Sequence, residues 1–520
     1  MKYRWFFEII IVVALSLPIV LPLVSPGFFS MHDDTQVGRV VAMGKALKDG
    51  QFPVRWVSDL GYGYGYPIFN FYGPLPYYVG GSLYVLGLDG LTATKIMLAI
   101  GMLLPSVTMF LFVRSITGFL PALVASVLYA YAPYHAVQLY VRGAVGELWT
   151  LIFYPLLALG AFRKSVFWGS IGLAGTILSH TLLGFATIPF LIIAFFLKRL
   201  PLSILLLGLG LSAFFWLPAI AEMKFTDVAG QVSTTANFRD HFVCLPQLWD
   251  SVWGFGGSVA GCIDGLSFRL GKLSILLSAV AIFLLLFKKP VTRIRSIGWL
   301  GFVVAVGSLF LALPISQHVW ELSPYFAYLQ YPWRFLATAA FGMSLLGAMV
   351  FATLRPERIA DLFALLTIGI LLFINGKLFQ PQYIINRPTR AFETNEELRW
   401  RVSKISDEYL PPGLAKPTSQ SQLPQGVVVD SGTSFSYQLT STSSAEVIIN
   451  KAYFPGWRYW VNGVNLQPKI SGGLPVLAVP KGQNSISAQL TNTPVRTLGN
   501  VVSLVSLLVF GGYLWQKNRP

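Results

Sequence analysis

The sequence predicts a polytopic α-helical membrane protein of about twelve spans, with a small extracytoplasmic β-sandwich near its C-terminus. Three observations carry this expectation. Only 12% of the 520 residues are charged, 54% are hydrophobic and mean hydropathy is +0.62, whereas soluble domains are roughly 25% charged. Apolar stretches of roughly 18 to 22 residues recur, each long enough to cross a hydrocarbon core of about 30 Å as a helix. From Gln380 to Pro494 these stretches stop, and Ser, Thr, Asn, Gly and Pro rise around short runs of alternating apolar residues. An ordinary soluble enzyme is excluded. Nucleic acid does not account for the net charge of +16, because Lys and Arg form short clusters between apolar spans rather than one dense stripe.

The first span, 5–29, follows Met-Lys-Tyr-Arg and lacks an A-x-A-like cleavage site, so it reads as a retained anchor. Further spans are expected at 93–113, 118–134, 148–162, 166–180, 183–197, 201–219, 271–287, 296–314, 335–353, 359–377 and 497–515. Basic residues follow every second span: Arg114, Arg163 and Lys164, Lys198 and Arg199, Lys288 to Arg295, Arg355 and Arg358, then Lys517 and Arg519. They share one side with Lys2 and Arg4, which places both termini in the cytoplasm of a multi-pass protein of the plasma (inner) membrane. The apolar piece Pro74 to Leu88 is not counted, because a crossing there would turn every later cluster outward. It is expected to be re-entrant or interfacial, with Tyr77, Tyr78 and Tyr84 at headgroup level.

The chain then divides into a membrane domain over 1–379, an extracytoplasmic helix with a β-sandwich over 380–495, and a membrane anchor over 496–520. Outside lie a large first loop (30–92), a short loop with Arg142 and Glu147, and loops from about Ala221 to Gly271 and Pro314 to Arg334. His32, His135, His180, His241 and His318 all fall on or near this face. Cys244 and Cys262 share the third loop; a disulfide there would add about 3 kcal/mol in an oxidising compartment, and two free thiols are the alternative.

In the C-terminal segment, Gly426 to Asp430, Ser434 to Thr440, Glu446 to Asn450 and Ser485 to Leu490 alternate as half-buried strands do. Asn462-Gly463 marks a type I′ hairpin, and Asn395 to Ser406 reads as helical. In the first loop, Asp34 to Lys48 is expected to be an amphipathic helix lying on the membrane surface, with Asp34 as N-cap and Arg39 and Lys45 reaching to headgroups. Gly61-Tyr-Gly-Tyr-Gly-Tyr-Pro67 and the Phe69 to Tyr78 stretch follow. Glycine alternating with tyrosine lets an extended backbone approach a ligand with rings on one side. Tyr62, Tyr64, Tyr66 and Tyr72, with His180, are therefore candidate sugar or acceptor contacts, an interfacial aromatic belt being the other reading.

Acidic residues are scarce, so their placement matters. Asp33, Asp34, Glu147 and Glu222 stand at the outer ends of spans. Asp33, Asp34 and Glu147 are the candidate catalytic carboxylates, since a carboxylate there can take the proton from an acceptor hydroxyl. A divalent cation held by the same oxygens is left open. A phosphate leaving group needs positive charge, and the guanidinium forks of Arg142 and Arg334 suit it; reaching to lipid headgroups is their alternative role.

An N-terminal span, an acidic pair, a helix and an aromatic proline-rich stretch before the second span together resemble the GT-C class of polyprenyl-phosphate-dependent glycosyltransferases. More narrowly, His32-Asp33-Asp34, Lys48 to Pro53, Gly61 to Pro67, Tyr140 to Glu147, Tyr331-Pro-Trp-Arg-Phe335 and Asp407 to Pro411 resemble the bacterial membrane family labelled 6-pyruvoyl-tetrahydropterin-synthase-related. The resemblance implies inverting transfer of a sugar from a polyprenyl-phosphate donor to a cell-envelope glycan, lipid or protein acceptor, with Asp33 in the catalytic position. There is no W-W-D-Y-G-like motif, which argues against peptide glycosylation, and the dispersed histidines give the pterin label no support. Tyr453 to Trp460 resembles the terminal domain of large membrane proteins that handle surface glycans, with Trp457 and Trp460 either stacking on sugar or forming core. A lipid-linked glycan flippase and a non-enzymatic envelope scaffold are the competing readings. The near-absence of ionisable residues at mid-span weighs against ion-coupled transport.

Overall fold

The structure is a computed structural model that describes residues 2–196, 200–228, 230, 237–288, 290–424, 429–430 and 432–517. Lys198, Arg199 and Arg519 of the expected basic clusters, one residue of the Lys288 to Arg295 cluster, and the first residues of the Gly426 to Asp430 strand lie outside these.

Each of the twelve expected spans overlaps an apolar helix. Among the described residues seven helices are long and apolar enough to cross a membrane, or up to nine if each of two bent pairs is one span. The bent pairs are Phe119–Ala130 with Pro133–Arg142, at 43°, and Leu202–Leu211 with Ala213–Phe225, at 69°. Val166–Ser179, Thr181–Phe196 and Lys272–Phe287 are apolar but shorter.

The chain forms two compact units. The first comprises 1–33, 98–209 and 234–386. Its central helix, Leu336–Thr353, is apolar all round and almost wholly buried, as a helix surrounded by others must be. Val145–Arg163 packs against Val166–Ser179 through glycine: a Cβ on Gly160 would fall 2.2 Å from Gly169 Cα, and one on Gly172 2.3 Å from Leu157 N. With no hydrophobic drive between helices in lipid, such close backbone approach supplies the packing. Phe28–Phe29 pairs antiparallel with Ile384–Ile385. Cys244 and Cys262 are joined by a disulfide, with a Cα separation of 5.5 Å.

The second unit comprises 34–97, 210–233 and 387–520. Here the expected surface helix is a core helix. Gln36–Lys48 buries all its residues from Gln36 to Gly44, with Leu398 and Val402 against Gly38 and Tyr84 against Gly44. Its apolar residues suggest one stripe, but the polar Gln36 and Arg39 are buried too, each with a protein partner, while Lys45 is half-buried and Lys48 exposed. Arg39 bonds Ser406 Oγ at 2.8 Å and stacks on Tyr72. Lys45 meets Asp59. Nor is Asp34 the cap; Thr35 occupies that position.

Leu75–Val85, the segment left out of the span count, is an 11-residue helix. At about 1.5 Å per residue it is too short to cross. Its tyrosines do not form a headgroup belt: Tyr77 is buried and donates to Gln36 at 2.6 Å, and Tyr78 accepts from the Val54 amide at 2.9 Å.

The β-sandwich has a five-stranded sheet containing Ser434–Ser441, Trp457–Val461, Val464–Leu466 and Gly482–Leu490, and a three-stranded sheet of Ala445–Ile448, Lys469–Ser471 and Leu474–Val479. Asn462 and Gly463 both have positive φ, 52° and 81°, as the type I′ turn requires. Trp457 is core, packed beside Phe435. Glu397–Val402 and Ser403–Ile405 supply the expected helix before it.

Candidate active site

The site in the first unit is built on a distorted helix end. Val137–Arg142 winds as a π-helical turn and stops at Gly143, which is left-handed at φ 68°. Such turns re-aim side chains, and this one turns Arg142 toward Glu147 in the first turn of Val145–Arg163. Gly143 also permits a close approach, since a Cβ there would fall 2.1 Å from Met31 Sδ. The segment after Met31 runs along this turn, the His32 amide donating to Val141 O at 3.0 Å and the Asp33 amide to Arg142 O at 2.9 Å. Asp33 is thereby fixed beside Arg142 by backbone, and its half-buried carboxylate acts electrostatically on that guanidinium.

Arg142 grips Glu147 with both terminal nitrogens, at 2.7 and 2.8 Å, and Arg334 Nε adds a third bond at 3.0 Å. All three side chains are buried. Arg334 is oriented by Leu329 O at 2.7 Å and by Gln330. Trp333 lies under Arg142 and Tyr331 under Arg334, the two rings stacked 4.8 Å apart. Thus the Tyr331-Pro-Trp-Arg334 motif supplies one guanidinium and both aromatic platforms. His180 lies against Gly146, where a Cβ would be 2.9 Å from its Cδ2, and its Nδ1 accepts from the Leu183 amide.

Two further histidines stand at the site. His32 Nε2 donates to Phe255 O at 2.9 Å, and His241 Nδ1 pairs with Ser258 Oγ at 2.9 Å while its ring meets Tyr331 edge-on. Burial holds His241 below the ordinary imidazole value. The disulfide-closed loop supplies both partners. Sequence reasoning did not single out His241, because nothing local in the chain links positions 241, 258 and 331.

The boundary between the units falls between Asp33 and Asp34, and the second acid has a different environment. Asp34 accepts from Arg401 at 2.7 Å; Arg401 also binds Glu397, which Arg387 holds at 2.9 Å. Burial pushes the Asp34 carboxyl up despite Arg401. Burial also acts on Glu397, but the bonds from Arg401 and Arg387 outweigh it and hold that carboxyl low.

Of the tyrosines expected to line a sugar site, Tyr62, Tyr66 and Tyr72 have their side chains engaged with protein. Tyr62 and Tyr66 are buried, the first donating to Asp407 at 3.1 Å and the second to Glu408 at 3.2 Å. Tyr72 lies under Arg39, and the Tyr64 carbonyl accepts from Ala452. The glycines between them make turns with positive φ rather than an extended strand, and a Cβ on Gly65 would sit 2.2 Å from the Trp56 ring. Among the described residues no group of three or more His, Cys, Asp or Glu is placed to hold a metal ion.

No protein-family model matches the chain, and no curated protein matches it. Among solved structures it is similar to the cryo-EM structure of the mycobacterial arabinofuranosyltransferase AftD, at 13% identity and a TM-score of 0.44. That match covers 75% of this chain and 28% of the other, so the chain spans little more than a quarter of that protein's length.

Proposed function

We propose that this protein is a GT-C-type membrane glycosyltransferase that moves a sugar from a polyprenyl-phosphate carrier to an extracytoplasmic acceptor, with inversion. The observation that carries the reading is the backbone pairing that fixes Asp33 beside Arg142, whose guanidinium shares Glu147 with that of Arg334. Asp33 takes the proton from the acceptor hydroxyl as that oxygen bonds to the anomeric carbon. The bond from that carbon to the phosphate oxygen breaks, and its electron pair leaves with polyprenyl phosphate. Once Asp33 carries the acceptor's proton, two guanidiniums stand against the single Glu147 carboxylate, and the excess positive charge stabilises the departing phosphate.

Glu147 has a different role from the base first expected of it. Three charge-assisted bonds occupy its oxygens, so it anchors the arginines and holds their planes in place. Asp34, committed to Arg401, is likewise a structural partner. The acceptor is a cell-envelope glycan, lipid or protein.

The test is release of polyprenyl phosphate from a labelled lipid-linked sugar by purified protein in vesicles. Turnover that needs both acceptor and protein supports the reading. Movement of the intact lipid-linked sugar across the bilayer without cleavage would replace it with the flippase reading.

A further inference from the structure

Residues 242 to 270 form a loop closed by Cys244–Cys262 and ordered from within. Asp264 accepts from Ser251 Oγ at 2.7 Å, Gln247 Nε2 at 2.9 Å and the Val252 amide at 3.2 Å. Phe255 pairs with Leu266, and the Leu270 amide reaches Leu248 O. One face of this loop is committed to its own unit through Phe255 with His32, Ser258 with His241, and the Val243 amide with Ala312 O. The rest of its surface presents Leu245, Trp249, Val252, Val259 and Ile263 outward, with Val252 71% and Ile263 65% exposed.

An ordered, cross-linked loop has no need to show five large apolar side chains to water, where each forgoes roughly 25 cal/mol per Å² of burial. We infer that this face lies in the bilayer at the boundary between headgroups and acyl chains, on the membrane surface where His32 and Asp33 stand. Continuity argues for lipid as the occupant. The loop runs directly into Lys272–Phe287, an apolar helix expected to lie in the bilayer, which exposes Leu276, Val280 and Phe283. Ala312, which receives the Val243 amide, ends Thr292–Ala312, and exposed Ile315 follows three residues later. Lys272 Nζ lies over the Trp249 ring at 5.7 Å, the amphipathic pairing that suits the interface, with ring in the apolar layer and ammonium in the headgroups. Of the loop's acids, half-buried Asp264 is used within the loop, and exposed Asp250 pairs with Lys272 at 3.4 Å, which places that ion pair at headgroup level.

The inference is independent of sugar transfer, and its test reads depth rather than activity. A nitroxide is attached through p-acetylphenylalanine placed at Val252 or at Ile263, leaving the disulfide intact, in vesicles of phosphatidylcholine and phosphatidylglycerol. A label at Asn462, on the exposed hairpin of the β-sandwich, is the aqueous reference. Collision with lipid-soluble oxygen is expected to exceed collision with a water-soluble nickel chelate several-fold at 252 and 263, and the order to reverse at 462. Nickel accessibility at 252 and 263 equal to that at 462 overturns the inference and leaves the face to a protein partner. Val259 serves as a further labelling position where either label disturbs folding.

Discussion

Two buried arginine–glutamate clusters, one around Glu222 in the second unit and one around Glu147 in the first, differ in what surrounds them. In the second unit Glu222 is held by Arg496 at 3.0 Å, Thr493 at 2.7 Å and Asn70 at 2.9 Å. Arg55 bonds Asn70, the Phe214 carbonyl and Asn500. The Arg496 and Glu222 side chains are 1% and 3% exposed, and Arg496 stacks on Phe454. This cluster ties Pro494–Lys517 to the first-loop segment and to Ala213–Glu222. In the first unit the Arg142–Glu147–Arg334 cluster has slightly more open guanidiniums, at 9% and 11%, and a half-buried second acid, Asp33, set beside it by backbone bonds. Paired arginines alone therefore mark a clamp. The first-unit cluster differs in having that second acid set beside it by backbone, and it is the candidate site for this reason.

The largest expected effect breaks the structural cluster. Glu222→Ala leaves Arg496 and Arg55 buried without their anion and should cost about 3 to 5 kcal/mol. Thermal unfolding in detergent should show this, with turnover lost only in proportion to folded protein. In the first unit Arg334→Lys keeps the charge but loses the fork that reaches Glu147, Leu329 and Gln330 together. At about 1.5 to 3 kcal/mol for a lost charge-assisted bond, it should lower kcat/KM for the lipid-linked donor more than it lowers the melting temperature. Equal losses in both would make this cluster as purely structural as the other.

Smaller effects separate the carboxylates around Arg401. The Glu397 carboxyl is held below its ordinary 4.5, so its stabilisation is present above that pH and lost as pH falls through the lowered value. Melting temperature should thus drop more steeply on acidification in wild type than in Glu397→Gln. Asp34 has the opposite sign. Its carboxyl is raised above 3.8 by burial, so the cost of ionising it in the fold appears as pH rises through the raised value. Asp34→Asn should leave the melting temperature at pH 7 unchanged or slightly higher, the smallest change of this set.

The apolar spans were legible because period and length are local properties of the chain, as was the Asn462-Gly463 turn, whose positive φ at both residues selects those side chains. Gln36–Lys48 was misread for the same reason: amphipathicity reports an apolar face but not what covers the polar one, and Arg39 meets Ser406 across 367 positions. Scarcity of acids drew attention to Asp33 and Glu147, and the Tyr331-Pro-Trp-Arg334 motif to Arg334. The sequence did not tell that Glu147 is consumed by both arginines, since that depends on a π-helical turn and a left-handed Gly143. Glycine alternating with tyrosine suggested an open aromatic platform, whereas positive φ at Gly61, Gly63 and Gly65 folds the segment inward.

The central claim is that Asp33, unlike the other carboxylates, performs chemistry. Asp33→Asn preserves size and much of the hydrogen bonding, and the backbone bonds to Val141 and Arg142 do not depend on its side chain. Release of polyprenyl phosphate from a labelled lipid-linked sugar should fall on the order of 10² to 10⁴-fold in this variant, as expected for loss of a general base, while its melting temperature stays at the wild-type value. Full turnover by Asp33→Asn, in an assay where wild type is active, would contradict the account.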